Sequence, residues 1–217
     1  MFFTSSILLG QKAMYLESKL FEGSFFLDTP QPILVSISAM IVLILFIVHA
    51  ALAMRKFPYK WKEYKVLKTH AFSLRHTDTI LWMVQALTGF VMFFLGSAHL
   101  WMMISIPDKI GPYASADRIY SDHVGWLYTL LMAAVLLHTV VGLYRLSVKW
   151  GIGVGSHPRE GRRRNKKIMW AALAFFAIMG YSALATYWVS GYQHRNHYGE
   201  RYHPQTTILP AKQGNPS

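Results

Sequence analysis

PILVSISAMIVLILFIVHAALAM, residues 32–54, is the stretch that decides the fold. It carries no charged residue, and it exceeds the about 20 apolar residues that a helix needs to cross a bilayer. Near its end stands His49. An ionisable side chain inside a span is expensive, and it normally faces a bundle interior, a cavity or a cofactor. Three further stretches of the same kind follow, at roughly 79–106, 123–148 and 168–192. The first of them carries His99; the second carries His138, with Arg145 close to its end. Long continuous apolar runs favour helices over a closed barrel, the other architecture that satisfies every backbone polar group in lipid. The expectation is an all-α transmembrane helical bundle over residues 1–192, followed by a polar C-terminal tail over 193–217.

Composition supports the membrane class. The 217 residues are 53% hydrophobic and 15% charged, against about 25% charged in soluble domains, and the mean hydropathy is +0.26. The net charge of +12 is gathered between the apolar stretches, which is how topology is signalled; a soluble basic face for nucleic acid is not visible. Without cysteine there are no disulfides, no cysteine-held iron–sulfur cluster and no thioether-linked haem. The opening MFFTSSILLG lacks the positive n-region and the length of a signal peptide. It reads as the end of a membrane helix that starts before Met1.

Lys and Arg in short loops set orientation. Loop 55–76 contains Arg55, Lys56, Lys60, Lys62, Lys65, Lys68 and Arg75, and loop 149–167 contains Lys149, Arg159, Arg162, Arg163, Arg164, Lys166 and Lys167. Both are expected on the cytoplasmic side. Loops 11–31 and 107–122, balanced in charge, and the C-terminus belong on the other side. The tail, with His194, His197, His203 and its prolines, reads as an extended or poorly ordered surface segment.

Depth sorts the intramembrane histidines. His49 lies six residues before Arg55 and His138 eleven before Lys149, so both fall in the cytoplasmic half; His99 lies eight before Pro107, near the outer end. At about 1.5 Å per residue, and with helix tilt, His49 and His138 pair and His99 belongs to a second level. Such histidines on bundle helices suit axial ligation of haem iron. A proton relay is the rival reading, and interhelical hydrogen bonding is the plainer one. Gly89, Gly96 and Gly142 on the same helices leave room for a macrocycle or simply for close packing. Glu17 and Glu22 precede the first complete span, where a carboxylate can accept protons from a quinol.

HAALAMRKFP (49–58), LKTH (67–70), RHTDTILW (75–82), QALTGFVMFFLGSAHL (85–100), IGP (110–112) and GLYRLSVKWG (142–151) together closely resemble the di-haem cytochrome b subunit of menaquinol:fumarate reductase. The resemblance covers nearly residues 1–151. It weakens through the last span and vanishes in the tail. It implies a bundle of five helices, four complete here plus the end of a first, in a bacterial cytoplasmic (inner) membrane, with two haems b. His49 and His138 would bind the proximal haem and His99 the distal one. Glu22 would be the proton acceptor at the menaquinol site. Trp82 and Lys149, and more weakly Lys56 and His76, would lie near the haem propionates. The implied partners are an iron–sulfur subunit and a flavoprotein subunit that reduces fumarate to succinate, in a dimer of heterotrimers.

Two positions depart from the pattern. The family's first distal ligand would fall just before Met1, so the expectation is a sequence that starts late. Leu136 stands where the family has a glutamate implicated in transmembrane proton transfer, and leucine carries no proton. Three other readings stay open: a succinate:quinone reductase running the reaction in reverse, a haem b anchor of another respiratory complex, and a histidine-containing transporter or proton channel.

Overall fold

The computed structural model describes residues 2–55, 57, 60–73 and 77–204. It is all-α among the described residues, in the order α1 (Phe2–Ser5), α2 (Gln11–Phe21), α3 (Ile33–Met54), α4 (Trp61–Ser73), α5 (Thr77–Ser105), α6 (Pro112–Tyr120), α7 (Gly125–Trp150) and α8 (Pro158–His194). Short 3₁₀ turns follow α1 (Ser6–Leu9) and α8 (Arg195–His197). The helices α3, α5, α7 and α8 are long and apolar enough to cross a membrane. They pack in chain order, α3 on α5, α5 on α7 and α7 on α8, while α1 and α6 lie against α8. Side chains such as Leu45, Phe94 and Ile178 point outward, 64–71% exposed. This suits a lipid-facing surface, because every backbone polar group of a helix is satisfied within it.

The alternation of the spans creates two ends. The basic end holds α4 and the α7–α8 connection; the capped end holds α2, α6 and the segment after α8. At the basic end α7 stops at Gly151, whose φ of 70° is the left-handed conformation that glycine adopts freely at a helix C-terminus. Asn165 donates to the Ile152 carbonyl at 2.8 Å and Arg164 to the Gly153 carbonyl at 2.8 Å, which satisfies carbonyls that the turn would otherwise orphan. Pro158 then opens α8 at its first helical position, where its missing N–H is harmless.

At the capped end, Ile7, Met14, Ala116, Ile119, Ala183, Leu184 and Tyr187 form one buried cluster. α6 approaches α8 through Gly191: a Cβ there would stand 2.5 Å from the Tyr120 side chain and 2.6 Å from the Ala116 carbonyl.

Several segments expected as loops contain helix. Residues 11–21 form α2, residues 61–73 form α4 and residues 112–120 form α6. Reading apolar runs cannot find them, because these helices are polar overall and bury at most one face. α8 begins ten residues before the apolar run at 168, so Arg159, Arg162, Arg163, Arg164, Lys166 and Lys167 stand on a helix rather than in a loop. At about 1.5 Å per residue its 37 residues reach about 55 Å, against about 30 Å of hydrocarbon, so its basic first turns lie beyond the lipid core. The opening residues pack on α8 as a short helix and turn. Residues 198–204, expected to be an extended or poorly ordered surface segment, fold back onto α6 and α2: Gly199 N–H donates to Asp117 at 3.0 Å, and the Tyr202 ring lies 5.6 Å from that of Tyr15.

Candidate functional site: a histidine pair and a buried acidic end

α5 is sandwiched between α3 and α7, and it decides whether side chains on its two neighbours can meet. It lets them meet at Gly89. A Cβ at that position would stand 3.1 Å from His138 Cε1, so the missing side chain is what admits the His138 ring. The rings of His49 and His138 then lie 6.3 Å apart between centroids, at 81° to one another. His138 Nδ1 is 2.9 Å from the Gln85 backbone carbonyl and 3.4 Å from Thr88 Oγ1. A ring nitrogen near a carbonyl donates to it, which places the proton on Nδ1 and leaves Nε2 as a lone-pair donor. This is how metal-ligating histidines are usually oriented.

Two imidazoles on facing helices are a donor set of the kind that would hold haem iron. A metal–nitrogen bond is about 2 Å, and the 6.3 Å ring separation leaves room for one ion between the two. Among the described residues, no cluster of three or more His, Asp or Glu side chains could hold a bare metal ion. A pair of histidines without further ligating side chains fits a haem better than a free cation.

Gln85 also extends a polar layer toward the basic end. Its side-chain oxygen accepts a 2.5 Å hydrogen bond from Arg145 Nη1. Gly142 on α7 makes room for its amide, since a Cβ there would stand 2.8 Å from Gln85 Nε2. Asp78, at the start of α5, accepts from Tyr144 Oη at 3.0 Å and pairs with Lys166 Nζ at 3.2 Å. Gly142 thus makes room for the glutamine side chain. Gln85 is the residue that reasoning on histidines alone overlooks, although a glutamine in an apolar span is itself a signal.

His99 lies ten residues beyond Gly89 on α5, about 15 Å further along the axis at 1.5 Å per residue. It is therefore separate from the pair. Its ring meets Tyr128 edge-on at 5.4 Å, and its Nδ1 is buried without a hydrogen-bond partner. A buried ring nitrogen left unpaired is costly.

Trp82 is half-buried near the start of α5 and stands 6.0 Å from Phe57 between ring centroids. Lys149 is exposed near the end of α7. Both sit toward the basic end. Lys56 and His76 lie outside the described residues.

Glu22, expected in a solvated loop, instead ends α2 and is 2% exposed. Its carboxylate pairs with Lys19 Nζ at 2.7 Å, and its backbone carbonyl accepts from Gln31 N–H at 2.7 Å. Glu17 carries no such burial. Lys19 also lines a cavity of about 360 Å³ at the capped end, together with Asp117 and Arg118. Leu136, the apolar departure on α7, is 4% exposed.

A span-crossing helical bundle with an interhelical histidine pair defines a class of membrane anchors. The family model described as succinate dehydrogenase/fumarate reductase transmembrane subunit matches residues 61–179. A protein of Helicobacter pylori strain J99 named fumarate reductase cytochrome b subunit is 44% identical over 196 residues, covering 90% of this chain and 75% of its own. One of the same name from Wolinella succinogenes is 46% identical over 187 residues, covering 86% of this chain and 73% of its own. The chain belongs to the succinate dehydrogenase/fumarate reductase transmembrane subunit family.

Proposed function

We propose that this chain is the haem b membrane anchor of a quinol:fumarate reductase, oxidising menaquinol at the capped end and delivering electrons at the basic end. The observation that carries the reading is the His49–His138 pair, 6.3 Å apart, with His138 Nδ1 against the Gln85 carbonyl. The name shared by the relatives fits that pair, and four apolar helices supply the anchor.

His49 and His138 would hold the proximal group and His99 one side of a distal group. Haem b, when bound, supplies one-electron transfer in the low-dielectric interior. The protein's own residues do the rest. Gln85 fixes the His138 ring and its tautomer. Trp82 and Lys149, with Lys56 and His76, would face the acidic edge of the proximal group. Glu22 would take a proton from the quinol hydroxyl as electrons leave, the task of a positioned carboxylate base. Leu136 offers no proton site on α7, so charge crossing at that position is not offset by a carboxylate there.

The basic end would face the cytoplasm and dock the iron–sulfur and flavoprotein subunits, where fumarate is reduced to succinate. The capped end, with the segment after α8, would face the opposite side of a bacterial inner membrane, in an assembly of two heterotrimers. His138→Ala tests the reading in the purified complex. Menaquinol-linked fumarate reduction should be abolished, while fumarate reduction with an artificial donor to the hydrophilic subunits persists. Retained quinol-linked turnover would overturn it.

A further inference from the structure

The capped end is closed by buried pairs such as Asp117–His194, 2.9 Å apart. The flank where α7 meets α8 is not closed. A groove of about 520 Å³ runs between these two helices, from Leu136 to Ser147 on α7 and from Asn165 to Phe176 on α8. At about 1.5 Å per residue it is about 16 Å long, which matches one leaflet, half of the about 30 Å of hydrocarbon. Its lining combines the buried Val140, Tyr144 and Met169 with Leu143 and Ile168, which are 61% and 59% exposed. The small side chain of Ala172 keeps it wide on the α8 side. The groove is therefore apolar, open toward lipid, and ends at the basic end of the bundle.

That end is built rather than frayed. Asn165 Nδ2 bridges the Ser147 hydroxyl at 3.2 Å and the Ile152 carbonyl at 2.8 Å. At Gly161 a Cβ would meet the Val154 carbonyl, so the missing side chain lets the connection lie against the first turns of α8. Arg164 Nη2 donates to the Gly153 carbonyl at 2.8 Å, and Gly153 lines the groove. A guanidinium is thus fixed at the mouth with one of its five donors used. Arg162, exposed and three residues before Asn165, stands on the same face of α8. Asp78, the carboxylate bonded to the Tyr144 hydroxyl, is offset by Lys166 at 3.2 Å. Glu160, at the start of α8, is outnumbered by Arg159, Arg162, Arg163 and Arg164.

We propose that this groove is a binding site for an anionic phospholipid, with an acyl chain along Val140, Met169 and Ala172 and the phosphate on Arg164 and Arg162. Arginine–phosphate hydrogen bonds are charge-assisted and strong, and basic pockets between membrane helices on the cytoplasmic side hold acidic headgroups. A quinone ring fits less well: it is neutral and needs hydrogen bonds, while Ser147, Asn165 and Tyr144 already spend theirs within the protein. A helix of a second copy would fill the apolar part but has no use for a cationic mouth. Such a site depends on the spans and the basic end alone, and stands apart from Glu22 and the quinol.

The purified complex, delipidated and then titrated in detergent with phosphatidylglycerol or phosphatidylcholine, tests this by native mass spectrometry of the bound lipid. The wild type should hold phosphatidylglycerol more tightly. The double variant Arg162→Gln, Arg164→Gln should weaken phosphatidylglycerol by about fivefold per arginine and leave phosphatidylcholine unchanged. Ala172→Phe, which fills the groove, should weaken both lipids. Haem content and retention of the hydrophilic subunits check that each variant assembles. Equal affinity for the two lipids in the wild type, or unchanged phosphatidylglycerol binding in both variants, would overturn the site. Unchanged lipid binding with a loss of dimers in Ala172→Phe would assign the groove to a second copy and overturn it too. If Ala172→Phe fails to assemble, the arginine variant decides by the ratio of the two lipid affinities.

Discussion

The two ends of the bundle solve opposite problems. At the capped end the protein finishes its own packing. Met14 is 1% exposed and takes hydrogen bonds at sulfur from Tyr187 at 3.2 Å and Ser6 at 3.4 Å. Glu22, Asp117 and His194 are all buried with named partners. At the basic end, and below it at the histidine pair, the packing is open: His49 is exposed and His138 half-buried, even though Gly89 and Gln85 hold the His138 ring in place. The capped end buries carboxylates; the other end presents ring nitrogens.

Breaking that contrast should have graded effects. The largest falls on His49→Ala, which removes half of the pair. Loss of a direct ligand should exceed the about 10–100-fold loss typical of outer-shell partners, and the absorbance spectrum of the complex should show one haem b signal gone while the second remains. Glu22→Gln comes next. Removing a positioned proton acceptor should slow menaquinol oxidation about 10²-fold or more, with both haems still bound by redox titration. Gly89→Ala probes the close approach. A methyl 3.1 Å from His138 Cε1 should cost about 1–3 kcal/mol of overpacking, read as a lower melting temperature and a shifted midpoint potential of the proximal haem.

The smallest effect belongs to Tyr198→Phe. The hydrogen bond that Tyr198 donates to Asp122, reinforced by the carboxylate charge, raises its phenol above the ordinary range. A raised pKa means that the folded state favours the neutral phenol, so this tether is present below the ordinary value of about 10 and is lost as pH rises through the raised one. Being exposed and screened, it should change stability by no more than about 0.5 kcal/mol, measured by thermal melts at neutral and alkaline pH.

Length and apolarity alone marked the four spans, because a membrane imposes both on every helix that crosses it. Depth alone grouped His49 with His138, and the structure brings those rings together. The short helices α2, α4 and α6 were illegible because their burial depends on neighbours distant in sequence. For the same reason Glu22 read as a loop residue: only the fold shows that α2 carries it into the interior. Asp117 and His194 are 77 residues apart, and no spacing rule connects them. Gln85 could have been found, since it interrupts an apolar stretch just as the histidines do.

Haem b per copy of this chain, determined by pyridine haemochrome on quantified complex for the wild type and His138→Ala side by side, tests the central claim most directly. The account predicts about one haem fewer per copy in the variant, with the remaining haem unchanged in its spectrum. Equal haem content in the two proteins, or none in the wild type, would contradict it.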